Sequence, residues 1–189
     1  LSFGVTDTVD ASLCVPAEHI ETRNTDLDFM THGITDIPLG IKWRFLETNS
    51  LSLALKPGIT LPAGNKENGL GRGNINYEIF FIISRSVSHG RAVHLNLGYD
   101  RNENNLGEIQ NLWHASFASE GILYRAIRGV VNIGMDRNPV MDADTDPIFM
   151  LGGVIYPVTK NFDVDCGVKT GLTRPAPDLT FLLGTAVRF

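Results

Sequence analysis

The segment LTFLLGTAVRF, residues 179–189, alternates without a break between two sets of side chains. One set is Leu179, Phe181, Leu183, Thr185, Val187 and Phe189, and the residues between them form the other. Successive side chains of a β-strand point to opposite faces, so this period of two predicts a strand. Terminal residues usually fray unless they pack against something. An alternation that reaches Phe189 therefore predicts that the end of the chain is itself part of a sheet.

The same pattern recurs along the whole chain. We predict a strand fragment at residues 1–4 and ten whole strands, at 9–20, 36–46, 51–61, 76–86, 92–100, 112–121, 129–137, 148–156, 162–172 and 179–189. No segment shows the 3.6-residue period of an amphipathic helix over a useful length. The predicted fold class is therefore all-β, with antiparallel strands.

Composition narrows the class of protein. The 189 residues are 43% hydrophobic and 20% charged, which fits a single folded domain over residues 1–189. The net charge is −5 and no Lys/Arg-rich run is present, so nucleic acid is not an expected partner. No run of about 18 apolar residues occurs, which excludes a transmembrane helix but not transmembrane strands.

The connections between the predicted strands alternate between short and long. An up-and-down membrane barrel shows this pattern because its periplasmic turns are tight and its external loops extend. We therefore predict an antiparallel up-and-down transmembrane barrel, with about twelve strands in the parent protein and N-terminal strands missing here. A lipocalin-like soluble barrel, with the two faces exchanged, is the alternative. Gly69, Gly71 and Gly73 predict a flexible loop at 62–74.

Aromatic and proline residues refine the barrel prediction. Two aromatic girdles are expected, one of Phe3, Trp43, Phe45, Tyr156, Phe162 and Phe189 near the short turns, the other of Tyr77, Tyr99, Trp113 and Phe149 near the long loops. Proline removes a donor from the ladder of hydrogen bonds between strands. Bulges near the rim are therefore expected at Pro16, Pro38 and Pro57.

The closing strand resembles the C-terminal signature of bacterial outer-membrane proteins, in which the assembly machinery reads a final Phe. The phrases GIKWRFLE, LALKPGITLPAGNKENGLGRGN, HLNLGYDRN and YPVTKNFDVDCGVKTGL resemble those of the phenol-degradation (meta-pathway) transporter family. The resemblance implies a Gram-negative outer-membrane barrel, with lipid and lipopolysaccharide as surroundings and Phe189 as assembly signal. It also implies passage of small molecules, aromatic or otherwise hydrophobic compounds among them.

Charged side chains are expected inside the barrel, because each would cost about 2–4 kcal/mol at the midplane of the lipid. The predicted lumen-lining residues are Lys42, Arg44, Lys56, His94, Asp100, Asp136, Asp163, Asp165, Lys169 and Arg188, together with Asp10 and Glu18. Bases on early strands and acids on later strands predict a transverse electric field across the lumen. The alternative is that these charges pair and plug the barrel.

Two further functions are considered. His114, Ser116 and Glu120 share a face, and a His-x-Ser pair resembles the outer-membrane lipid A deacylases. Glu120 would lie about 13 Å further along an extended strand than Ser116, too far to orient His114.

The primary prediction is a passive channel for small molecules, without metal or cofactor. Its main alternative is a closed structural barrel that anchors or assembles another protein, and a lipid hydrolase is a minor one.

Overall fold

The computed structural model describes residues 2–23, 28–88, 90–104 and 107–187. Eleven strands in these ranges form one sheet. They are β1 (Ser2–Gly4), β2 (Val9–Leu13), β5 (Ile37–Glu47), β6 (Leu51–Leu61), β7 (Asn76–Ser88), β8 (Arg91–Arg101), β9 (Asn111–Tyr124), β10 (Ile127–Asp136), β11 (Ile148–Pro157), β12 (Phe162–Gly171) and β13 (Leu179–Val187). The other two strands, β3 (Ala17–Arg23) and β4 (Asp28–Ile34), pair only with each other. In these ranges no helix has the length and apolar character that crossing a membrane requires.

The main sheet is an antiparallel meander that curves into a nearly closed barrel. Each strand from β5 to β12 pairs with the next one in sequence. β2 pairs with β5, so the β3–β4 hairpin is an insertion between two neighbouring strands of the sheet. Ser2 of β1 and Thr185 of β13 line one cavity, so the two edges of the sheet approach each other. The predicted all-β antiparallel barrel is confirmed.

The two faces of the sheet differ in polarity and exposure. Trp43, Phe117 and Phe181 lie on the convex face and are 50%, 49% and 74% exposed. Ala54 and Ser116 lie on the concave face and are 2% and 5% exposed. Large apolar side chains usually lie inside a water-soluble domain. In this barrel the large apolar side chains lie on the outer, convex face, which is the reverse arrangement.

Charge follows the same division. Among the described residues of β5 to β13, the charged members of the outward-facing set are Arg85, Arg91 and Arg101. Each lies within three residues of a strand end. The middle of the convex face is therefore an uncharged apolar band.

The segment at 14–35 differs from the prediction. The predicted strand at 9–20 ends at Leu13 within the barrel sheet, and the chain then forms the β3–β4 hairpin, where a long loop was expected. Glu18 lies on that hairpin and pairs in register with Gly33, so it does not line the barrel as predicted.

The predicted bulges at Pro38 and Pro57 are wrong. Pro38 pairs with Thr60 in unbroken register, and Pro57 pairs with Ile79 in the same way. The bulge between β5 and β6 lies instead between Arg44 and Leu46, toward the short turn. Pro16 lies outside the strands, between β2 and β3.

One predicted girdle residue is misplaced. Phe149 is 7% exposed and faces the concave side of β11, whereas Trp43 and Phe45 pack together on the convex side with their ring centroids 5.8 Å apart. Phe189, the predicted assembly signal, and Arg188 lie outside the described residues.

Candidate functional site

Three rings form a row across the concave wall of the barrel, which we call the aromatic row: Phe80 on β7, His114 on β9 and Phe149 on β11. The Phe80 and His114 ring centroids are 5.5 Å apart in an edge-to-face arrangement. The His114 and Phe149 centroids are 6.4 Å apart and nearly stacked. Both spacings fall in the range of favourable aromatic contacts, so the rings stabilise one another.

Glycines on the strands between these rings make the row possible. A Cβ atom added to Gly98 on β8 would lie 2.5 Å from Cε1 of Phe80. A Cβ atom added to Gly134 on β10 would lie 2.4 Å from Cζ of Phe149. Each phenylalanine ring therefore lies flat over a neighbouring glycine and follows the wall of the barrel.

A lysine lies beside each end of the aromatic row. Lys169 Nζ is 4.0 Å from the ring centroid of Phe149, and Lys56 Nζ is 5.8 Å from that of Phe80. Both distances allow a cation–π interaction. Lys56 Nζ is also 4.0 Å from Glu78 Oε1. The aromatic row is thus flanked by a cationic group at each end.

His114 at the centre of the row is oriented by a carboxylate. Its Nδ1 lies 2.6 Å from Oδ1 of Asp136 on the adjacent strand. Ser116 Oγ accepts a hydrogen bond of 3.2 Å from Asn96 Nδ2, and Ser116 is 5% exposed. The hydroxyl of Ser116 is therefore largely covered by its neighbours in the barrel wall. Within the ranges that the structure describes, no three His, Cys, Asp or Glu residues are grouped to hold a metal.

The loop between β6 and β7 folds over the mouth of the barrel at the long-loop end. Asp36 accepts hydrogen bonds from the backbone N–H groups of Gly64, at 2.9 Å, and Arg72, at 2.7 Å. Leu70 in the same loop is 5% exposed. The guanidinium of Arg72 then donates to Asp100 Oδ2 at 2.6 Å. This loop, predicted to be flexible, is therefore fixed by hydrogen bonds at both of its ends.

A cavity of about 250 Å³ lies between that loop and the aromatic row. Its apolar wall includes Phe80 and His114. The charged groups around it are Arg72, Glu78, Asp100, Asp136 and Arg137. The cavity therefore combines two rings with carboxylate and guanidinium groups.

A second set of interior charges lies toward the short turns. His94 Nδ1 lies 2.8 Å from Ser84 Oγ, and its Nε2 lies 3.8 Å from Glu120 Oε1. Arg128 bridges Glu120 and Asp163, with nitrogen–oxygen distances of 3.5 Å to each carboxylate. Asp163 is 3% exposed, so Arg128 balances a charge that is withdrawn from water.

Apart from Glu18, which lies on the β3–β4 hairpin, the predicted lumen residues that the structure describes lie on inward-facing strand positions. These are Asp10, Lys42, Arg44, Lys56, His94, Asp100, Asp136, Asp163, Asp165 and Lys169. Many of their charges form local pairs, as Lys56 does with Glu78 and as Arg44 does with Glu47 at 3.1 Å. Arg44 also donates to the carbonyl oxygen of Asp7. Their role in a pore, and the transverse field, stay predictions.

Sequence reasoning missed Phe80, Phe149, Arg72 and Arg128. Both faces of β7 are apolar, so the alternation there does not identify the face of Phe80. Arg72 comes from a loop, where the period of two carries no information. The Asp36 carboxylate, three dozen residues before Arg72, gave no local signal of the contact that places it.

The family model described as "Putative MetA-pathway of phenol degradation" matches residues 6–189. No curated protein matches the chain.

Proposed function

Since the chain belongs to the "Putative MetA-pathway of phenol degradation" family and folds into a nearly closed barrel, we propose that it is an outer-membrane channel. In this proposal it lets small molecules, aromatic compounds among them, diffuse passively into Gram-negative cells. The observation that carries the proposal is the division of the sheet into an apolar convex face and a charged concave face.

The convex face supports contact with lipid. Exposed apolar side chains cover it, and its charged members lie at strand ends, where the headgroup region would accommodate them. Trp43 and Phe45 lie toward the short turns, and Tyr77 and Trp113 lie near the long loops. Aromatic side chains favour both interfaces of a bilayer, which suits a barrel with these two groups at its rims.

The sorting of the loops supports an orientation. The connections at 48–50, 125–126 and 158–161 are short, whereas those at 62–75 and 137–147 are long and hydrogen-bonded. Bacterial barrels place short turns in the periplasm and long loops outside. The cavity beside the aromatic row then faces the external medium, where a solute would arrive.

A closed structural barrel is the second candidate function, and the packing of the interior favours it. Phe149 and Ser116 are buried on the concave face, and Arg128 joins two carboxylates across β11. Such contacts narrow the lumen and stabilise the barrel wall. A barrel that they seal would act as an anchor or assembly partner for another protein.

Single-channel conductance separates the two functions. The full chain, refolded and inserted in a planar bilayer, is expected to give discrete current steps. Lys42→Glu places a negative charge on the concave face and should shift ion selectivity toward cations. Lys160→Glu makes the same change in a short turn and should leave selectivity nearly unaltered. Silence from protein shown to be folded and inserted would overturn the channel and favour the closed barrel.

A further inference from the structure

The β3–β4 hairpin is a two-stranded sheet separate from the barrel sheet, and its two faces have different surroundings. On one face Thr31 is 7% exposed, and a Cβ atom added to Gly33 would lie 3.0 Å from Cδ1 of Leu70 in the β6–β7 loop. On the other face Met30 and Ile34 are 66% and 51% exposed. The hairpin therefore packs its first face toward the loop at the mouth of the barrel and leaves its second face uncovered.

A pair of histidines lies on the uncovered face. His19 of β3 and His32 of β4 are directly opposite in the register, so both side chains leave the hairpin on the same side. Both are exposed, and their ring centroids are 6.2 Å apart with the ring planes 30° from parallel. Neither ring forms a hydrogen bond or an ion pair with a residue that the structure describes. The ring nitrogens of His94 and His114, by contrast, are engaged by neighbouring side chains of the barrel wall.

Two imidazoles at this spacing can hold one metal ion between them. An imidazole nitrogen binds Zn²⁺ at about 2.0–2.1 Å, so an ion shared by two rings keeps their centres roughly 6 Å apart or less. The observed 6.2 Å is near that limit. Directly opposite residues have Cβ atoms about 4.5–5.5 Å apart, so small side-chain rotations bring the two nitrogens to ligand distance. In the described part of the chain no third His, Cys, Asp or Glu is grouped with them, and water completes the coordination.

The type of ligand selects the metal. Imidazole suits Zn²⁺, Cu²⁺ and Ni²⁺, whereas Ca²⁺ and Mg²⁺ prefer oxygen ligands. At a given nitrogen site the affinity rises from Ni²⁺ to Cu²⁺ and falls again at Zn²⁺. We propose that His19 and His32 chelate one late first-row transition-metal dication, with Cu²⁺ bound most tightly. This site goes beyond the proposed channel function and does not depend on it.

The bound ion joins the two strands of the hairpin. A two-stranded hairpin is marginally stable by itself. An ion that needs both imidazoles binds only the paired form, so it stabilises the hairpin by mass action. Because Gly33 of the same hairpin approaches Leu70, the ion also strengthens the cover over the mouth of the barrel.

The first test titrates Ni²⁺ into the full chain, refolded in detergent micelles without an added histidine tag, with calorimetric detection. One ion should bind per chain, and Ca²⁺ should not compete. His32→Phe keeps a ring in the pair but removes a ligand, and His19→Phe does the same from the other strand. Outer-shell partners of a metal ligand are themselves worth about 10–100-fold in metal affinity, so each variant should lose at least about tenfold. His94→Gln in the barrel wall and Cys14→Ser, which removes an exposed thiol, should leave the affinity unaltered.

Hydrogen–deuterium exchange tests the effect on the hairpin. With Ni²⁺ at about 100 times its Kd, amide exchange in segments 17–21 and 30–34 should slow by up to about a hundredfold. The slowing should disappear in His32→Phe. No saturable binding, competition by Ca²⁺, or equal affinity in wild type and both Phe variants, which marks an adventitious ion only, would overturn the proposal. Slowing that persists in His32→Phe would overturn it as well. None of these results depends on whether the barrel conducts, so the channel and this site fail separately.

Discussion

Gly134 shows how a single missing Cβ atom shapes the interior of the barrel. The ring of Phe149 occupies the space above it, and a Cβ atom there would lie 2.4 Å from Cζ and 3.0 Å from Ser116 Cβ. The ring cannot move away easily, because it is stacked near His114 and lies under Lys169. A side chain at this position would therefore disturb the whole aromatic row.

We predict that Gly134→Ala destabilises the protein by about 1–3 kcal/mol, the usual cost of overpacking a filled interior. Gly152→Ala is the matched control, because a Cβ atom there meets nothing within 4 Å. It should change the free energy of unfolding by less than about 0.5 kcal/mol. Denaturant unfolding of both variants measures the difference, and equal effects would contradict the described packing of Phe149.

For single residues, the sequence predicted which face of a strand a charged side chain occupies, but it did not predict the face of the aromatic rings. A charged side chain on a strand predicts its own face, because the lipid-facing alternative is so costly. Phe80 and Phe149 carry no such penalty on either face, and their strands are apolar on both sides. Their face is fixed by the pairing of Phe80 with Gly98 on the next strand and of Phe149 with Gly134 on the preceding strand, and the alternation within one strand does not reveal that pairing.

The loop between β6 and β7 is the element whose structure depends most on one side chain. Both oxygens of Asp36 are used, one for the Gly64 N–H and the other for the Arg72 N–H. Removing the carboxylate leaves two backbone donors without partners and frees the segment that carries Arg72. Each lost hydrogen bond to a charged acceptor weakens the ordered state by about 1.5–3 kcal/mol.

We predict that Asp36→Ala makes this loop open at least about tenfold more often, because the two lost hydrogen bonds weaken its ordered form. The rate of proteolytic cleavage follows the population of the open form. Limited trypsin digestion after Lys66 measures this in the folded barrel. Asp36→Asn keeps one acceptor oxygen and should give an intermediate rate. An unchanged cleavage rate in Asp36→Ala would show that the loop does not depend on this residue.

The sequence predicted the strands of the barrel well, but it failed where pairing between strands decides the local structure. The strands of the barrel follow the alternation closely, but the first part of β3 was read as the end of the strand at 9–20 and β4 was read as a loop. Proline was expected to force bulges near the rim. The sheet instead leaves a gap in the β5–β6 pairing between Gly40–Gly58 and Trp43–Leu55, opposite Pro57, and keeps its register.

For the whole molecule, the barrel was predictable because alternation and loop length are properties of the entire chain. The lumen was less predictable, since its state depends on which side chains meet across the interior. Arg128 reaches past β11 to Asp163, and Arg72 enters from a loop. Neither contact has a signature in sequence spacing.

Every proposal for the lumen depends on which face of the sheet meets lipid, and one pair of variants tests this directly. Leu97 lies on the convex face near the middle of β8 and is 45% exposed, and Tyr77 lies on the same face near the start of β7 and is 53% exposed. The two positions thus differ in depth and hardly in exposure.

The measurement is the free energy of unfolding of Leu97→Arg and Tyr77→Arg from lipid vesicles. An arginine near the midplane should cost about 2–4 kcal/mol, and one near the interface about 0–1 kcal/mol. A clearly larger loss for Leu97→Arg is the result that a membrane barrel with this face in lipid predicts. Equal small losses, or failure of the folded wild-type barrel to insert, would contradict it.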